Sequence, residues 1–129
     1  MERKASKSFE DLLVWQKAHG LVLEVYKVTK GYPKDEVYGL ALQFRNAIRS
    51  VPANIAEGFK KTSKLDKLRF FNIAQGSLEE SRYYVILSKD LGYIDELVFN
   101  NWMLQIIDIS QLLNSYYDSI KKSIANKDT

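Results

Sequence analysis

Cysteine is absent from the 129 residues, so a disulfide, a thiolate metal site and a Cys nucleophile are all closed to this chain. Histidine occurs once, at His19, which rules out a His-pair metal site and the paired Glu-x-x-His set of di-iron bundles. His19 reads as a surface or boundary residue. No apolar run approaches the roughly 20 residues needed to cross a bilayer. The charged start, Met1-Glu2-Arg3-Lys4, lacks the apolar stretch of a signal peptide. The expected setting is therefore the cytoplasm, with no membrane partner. Gly-x-Gly-x-x-Gly, Walker and Gly-x-Ser-x-Gly patterns are missing, which argues against a nucleotide enzyme or a serine hydrolase. No cofactor is expected.

Only two prolines and six glycines interrupt the chain. What lies between them is periodic at three and four residues, the signature of amphipathic helices. The first helix is predicted from about Phe9 to Lys30, opened by a Ser8/Asp11 capping box and closed by Gly31-Tyr32-Pro33. The second is predicted from Asp35 as N-cap, with the stripe Leu40, Phe44, Ile48, Val51, Ile55 and Phe59. Pro52 falls inside it. The stripe keeps its phase across the proline, so a kink is expected rather than a break. Ser63 caps a third helix over Lys64 to Leu91, ended at Gly92. Asp95 caps a fourth, with Ile94 and Phe99 as a hydrophobic staple. The fold class that follows is all-α: one domain over residues 1–129, an antiparallel up-down-up-down four-helix bundle, second helix kinked at Pro52. Residues 1–8 and 125–129 are expected to be flexible.

Charge is uneven. Between residues 40 and 69, Arg45, Arg49, Lys60, Lys61, Lys64, Lys67 and Arg69 face only Glu57 and Asp66, whereas residues 70–129 are net acidic. Arg45 and Arg49 are one turn apart, with Lys60 further along near the same face, and Lys60, Lys61, Lys64 and Lys67 cluster at the turn into the third helix. Such a cluster can neutralise phosphates. Arg45, Arg49, Lys60, Lys61, Lys64 and Lys67 are therefore the candidate contacts to RNA or DNA. The competing reading is a solvated face with partners such as Asp66. Adjacent pairs Tyr83-Tyr84 and Tyr116-Tyr117 place one ring of each pair away from the core. Phe70, Ile73, Tyr84 and Leu87 widen the apolar face of the third helix, and both features favour a homo-oligomer. A carboxylate metal enzyme built on Glu57 and Glu80 is the weakest reading; such groups in a bundle more often fix register.

Four segments are distinctive: Phe9-Glu10-Asp11-Leu12-Leu13-Val14-Trp15-Gln16-Lys17-Ala18, Val51-Pro52-Ala53-Asn54-Ile55-Ala56-Glu57-Gly58, Gly76-Ser77-Leu78-Glu79-Glu80 and Leu91-Gly92-Tyr93-Ile94. In this order and spacing the chain resembles the four-helix-bundle family named after proteins encoded in 23S rRNA intervening sequences. The resemblance implies an antiparallel four-helix bundle, ring-like homopentamers and no enzymatic activity. A related branch resembles the accessory protein of diversity-generating retroelements, which binds nucleic acid and partners a reverse transcriptase. Trp15, Gln16, Pro52, Asn54, Glu57, Gly58, Gly76 and Ser77 match the family signature, where a structural role is implied, and Arg45 matches its usual basic position. The chain departs at Asn46, where a second basic residue is usual, and at Arg49 and Ser81, where apolar residues are usual.

Overall fold

The computed structural model describes residues 6–127. Four helices run in alternating directions: α1 (Leu13–Thr29), α2 (Leu40–Lys60), α3 (Lys64–Asp90) and α4 (Glu96–Lys127). Each packs on its two neighbours in a closed square, and the diagonal pairs α1–α3 and α2–α4 make no close backbone approach. The core is aliphatic, from Val14, Leu21, Val25, Ile48, Val51, Ile55, Leu78, Val85, Ile109 and Leu113, with two large rings at its centre. Phe44 of α2 meets Trp102 of α4 edge-to-face across the diagonal, ring centroids 5.7 Å apart. Trp102 is 2% exposed, so one bulky residue fills the space the diagonal helices leave.

The interiors of the helices follow the predicted stripes, but two starts differ. Phe9–Asp11 is a separate 3-10 turn, and α1 begins only at Leu13. The Ser8/Asp11 capping box is present, but it closes this short turn. Leu12 then adopts an extended conformation and is buried, which breaks the helical run between them. Likewise Asp35 does not open α2. Lys34–Glu36 forms a second 3-10 turn, and Gly39 takes φ −105°, ψ −117°, a non-helical conformation that delays the start to Leu40. Glu36 still serves the helix from outside, because its Oε1 accepts from the Leu40 amide at 3.2 Å.

The remaining boundaries match. Ser63 Oγ accepts from the Asp66 amide at 3.3 Å, and Asp95 Oδ1 from the Val98 amide at 2.8 Å. Gly92 has φ +78°, the left-handed conformation of a glycine after a helix end. α2 runs through Pro52 without a break. α4 continues through Lys127; the expectation of flexibility at 1–5 and 128–129 lies outside the described residues. Among the described residues no strand occurs, and no helix is long and apolar enough to cross a membrane.

Polar links help to set the register of neighbouring helices. Gln105 Nε2 of α4 donates to Glu24 of α1 at 2.7 Å, and Lys17 pairs with Asp108 on the same seam. Gln75 Nε2 of α3 donates to the Ser110 carbonyl and the Asn114 side chain of α4. Ser50 Oγ of α2 lies 2.8 Å from Ser77 Oγ of α3. Ser81, fully buried, donates back to the Ser77 carbonyl at 2.8 Å, so a hydroxyl sits in the core with its bond made.

Candidate nucleic-acid interface

The six candidate basic residues fall into two groups. Arg45 and Lys60 are fifteen residues apart on one helix, about 22 Å along its axis. Arg45 and Arg49 sit on the seam with the second half of α1. Arg45 Nε donates to Thr29 Oγ1 at 2.8 Å and its NH2 group to the Tyr26 carbonyl at 3.1 Å, while the guanidinium lies 4.8 Å from the Tyr26 ring centroid. Those acceptors are at the C-terminal turn of α1, whose carbonyls lack partners within the helix and carry partial negative charge. Arg45 is thus a half-buried cap for a neighbouring helix. Arg49 is exposed and bridges Tyr26 Oη, at 3.0 Å, and Asn46 Oδ1, at 2.9 Å.

Lys60, Lys61, Lys64 and Lys67 meet at the opposite end, where α2 turns into α3. They divide again by what their ammonium groups touch. Lys67 Nζ donates to the carbonyls of Phe59, at 2.6 Å, and Gly58, at 3.3 Å, capping α2. Burial holds its pKa below the ordinary lysine value. Lys64 Nζ donates to Ser123 Oγ and ties α3 to α4. Lys61 reaches over the Phe70 ring, 5.0 Å from its centroid, and Arg69 lies over the same ring at 5.0 Å. Lys60 has no hydrogen-bond or ion-pair partner among the described residues and points into solvent. Lys121 and Lys122, exposed on the turn of α4 before Ser123, add charge to the same end. Asp66 pairs only loosely, at 4.0 Å from Arg69, and takes no lysine. The sequence pattern had no signal for the capping role of Lys67, because it depends on how α3 folds back across the last turn of α2.

Most of the signature residues build the frame. Trp15 stacks on His19, ring centroids 4.8 Å apart and planes 14° apart, and receives the edge of Phe9 at 5.1 Å. His19 is accordingly half-buried. Gln16 Nε2 donates to the Glu10 carbonyl at 2.9 Å and fastens the 3-10 turn to α1. Asn54 Nδ2 donates to the carbonyl and hydroxyl of Ser50, which in turn meets Ser77. Pro52 is buried. Gly58 is buried where α2 and α3 cross: a β-carbon there would lie 3.0 Å from the Phe71 ring and 3.1 Å from Phe70 Cβ. Gly76 and Glu57 differ, since both are exposed and nothing stands within 4 Å of a β-carbon built on Gly76.

Glu57 and Glu80 do not face each other inside the bundle. Both are exposed, and Glu80 accepts from Tyr84 Oη at 2.9 Å. Among the described residues no three His, Cys, Asp or Glu side chains gather as a metal site would require. The tyrosine pairs are less exposed than helical spacing predicts. Tyr84 packs on Phe44, and Tyr116 and Tyr117 are both half-buried against the core. Tyr83 alone of the four is exposed, at 55%. The second apolar strip of α3 is likewise absorbed at Tyr84 and Leu87, leaving Ile73 outside.

Among solved structures, the bundle is similar to a protein of unknown function from the S23 ribosomal protein family of Bacteroides thetaiotaomicron. The two superpose with a TM-score of 0.76 at 21% identity, covering 82% of this chain and 96% of that one. At that identity the likeness shows the fold alone. No curated protein matches the chain. The sequence profile of the 23S rRNA-intervening sequence proteins matches residues 10–115, which span α1, α2 and α3 and most of α4, and the chain therefore belongs to that family.

Proposed function

We propose that this protein is a non-enzymatic, cytoplasmic, oligomeric bundle that binds RNA or DNA through the lysine-bearing end where α2 turns into α3. The observation that carries the reading is that, among the described residues, neither Lys60 nor Lys61 has a carboxylate partner. Lys64 and Lys67 are committed to Ser123 and to the last carbonyls of α2, whereas Lys60 is exposed, Lys61 lies over the Phe70 ring, and Lys121 and Lys122 are exposed on the turn of α4 that ends at this same end of the bundle. Ammonium groups without carboxylate partners release counterions from a phosphate backbone instead of breaking an internal ion pair. Contacts of this kind hold a nucleic acid in place without reading its sequence. Arg45 and Arg49 stand apart from that end and serve the α1–α2 seam first.

The test is charge reversal of Lys60 and Lys61 together. Affinity for structured RNA at low salt is expected to fall by at least tenfold, and the dependence on salt to become shallower. Unchanged affinity in the double variant removes the proposal.

Self-association has its own support. Leu23 on α1 and Leu97 and Leu104 on α4 are 58%, 78% and 67% exposed, and Leu97 lines a groove between these two helices. Burying such side chains against another copy is favourable by roughly 1.5–3 kcal/mol each. A ring of identical copies would also repeat the lysine end around its axis. A reverse transcriptase as partner, implied by the related branch, would bind the same assembly.

A further inference from the structure

We propose that the cleft between the N-terminal 3-10 turn and the last turns of α2 holds one unpaired nucleotide, its base against Phe9 and its phosphate between Lys7 and Lys60. The inference rests on the nucleic-acid reading above and specifies the form of nucleic acid that this surface selects. Lys7, Ser8, Phe9, Ala56, Phe59 and Lys60 enclose about 270 Å³, open on one side. That is just below the roughly 300–1,000 Å³ of pockets that enclose drug-sized ligands, and it suits a single base whose chain runs on through the open side.

The lining has the two components that single strands require, a cationic rim and an aromatic surface. Neither ammonium group has a hydrogen-bond or ion-pair partner among the described residues; the Lys7 backbone amide, not its side chain, is the group bonded to Asp11. Phe9 is half-buried and held by the edge-to-face contact with Trp15, so its ring is fixed before a ligand arrives. Ala56, which also lines the cleft, carries only a methyl group and so leaves space in it. The nearby anions are Glu10, whose carboxylate accepts from Ser8 Oγ at 3.3 Å, Asp11, whose carboxylate accepts from the Lys7 and Ser8 amides, and Glu57, which follows Ala56; none of the three lines the cleft. A duplex cannot use this site, because its base faces are stacked on one another. The rim runs on from Lys60 to Lys61, so a strand anchored in the cleft continues along the lysine-bearing end.

The experiment compares a blunt RNA duplex with the same duplex carrying a short single-stranded tail, by fluorescence anisotropy at low salt on the full chain. The tail is expected to raise affinity about tenfold, within the range one stacked base confers. Phe9→Leu keeps an apolar contact with Trp15 but removes the stacking surface, and Lys7→Gln removes one rim charge. Both variants are expected to lose the advantage of the tail while binding the blunt duplex within about twofold of the parent, and melting curves like the parent's exclude misfolding. Equal affinity of the parent for both RNAs overturns the inference and leaves the lysine-end reading standing, as does a full tail advantage in Phe9→Leu and Lys7→Gln. Binding of neither RNA overturns both.

Discussion

Gly58 lies against the Phe71 ring so closely that a β-carbon on it would sit 3.0 Å from Cε1 and 3.2 Å from Cδ1. The missing side chain sets how near α2 and α3 approach. Phe70 Cβ, 3.1 Å away on the other side, is too near its own backbone to yield. Gly58→Ala is expected to destabilise the bundle by about 1 kcal/mol, since overpacking of roughly 1–3 kcal/mol outweighs the helix propensity gained. Gly76→Ala is the control. It meets nothing within 4 Å and should stabilise by about 0.5–1 kcal/mol. Urea midpoints moving in opposite directions would confirm the contrast; a shared direction would refute it.

Arg45 and Arg49 should separate in their effects on stability. Arg45→Ala removes two charge-assisted hydrogen bonds at the end of α1 and is expected to cost about 1–2 kcal/mol. Arg49→Ala, at an exposed site, should stay within about 0.5 kcal/mol. Thermal melts of the two variants decide it. Equal losses would show that the capping geometry of Arg45 is not what stabilises this seam.

Ser50 and Ser77 should prove energetically coupled. A double-mutant cycle to alanine is expected to return roughly 0.5–1.5 kcal/mol of interaction, because each hydroxyl is the other's partner across α2 and α3 and Asn54 fixes the first. Additive single effects would assign the register to apolar packing alone.

Alkaline pH should weaken the fold. The hydroxyl of Tyr32 has its pKa raised above 10.0 by burial, with Tyr93 adding repulsion and the Ser88 bond partly opposing; Tyr84 is raised by burial and then by Glu80. Tyr93 is raised by its hydrogen bond to Glu36 and then by burial. A phenol with a higher pKa in the folded state favours the folded state below its unfolded pKa. That contribution is lost as pH rises through the folded value. Lys67 runs the other way, gaining stability as pH rises toward 10.5, but it is one group against three. Urea midpoints should therefore fall above about pH 10, and Tyr32→Phe should reduce the fall. A flat profile would show that these rings ionise as freely in the bundle as in the unfolded chain.

Leu97→Lys combined with Leu104→Lys should shift the chain toward smaller species in light scattering during size-exclusion chromatography, with its melting temperature little changed. Both leucines are exposed, so replacing them leaves the core intact. A parent that is monomeric at micromolar concentration would remove the assembly.

Much of this molecule is legible in its residues. The stripes of α2 and α3, the caps at Ser63 and Asp95 and the stop at Gly92 are local relations within one or two turns, and local sequence suffices to specify them. The two late helix starts escape the periodicity because Leu12 satisfies the stripe even while extended, and Glu36 favours a helix N-terminus from either side of it. Segment order and spacing also pointed to the family, and residues that carry the resemblance, such as Trp15, Asn54 and Gly58, make packing or hydrogen-bond contacts within the bundle.

By itself, then, the sequence determined four amphipathic helices, their order, and the exclusion of cysteine- and histidine-pair chemistry, because each follows from side-chain type and a spacing of three or four residues. Tertiary structure alone decided which cations remain free. Lys67 and Lys60 are equivalent in a string of letters, but the fold places one carbonyl 2.6 Å and another 3.3 Å from the first and solvent before the second. An ammonium group goes to the nearest unpaired acceptor, and where that acceptor lies is fixed only when separate helices are packed together.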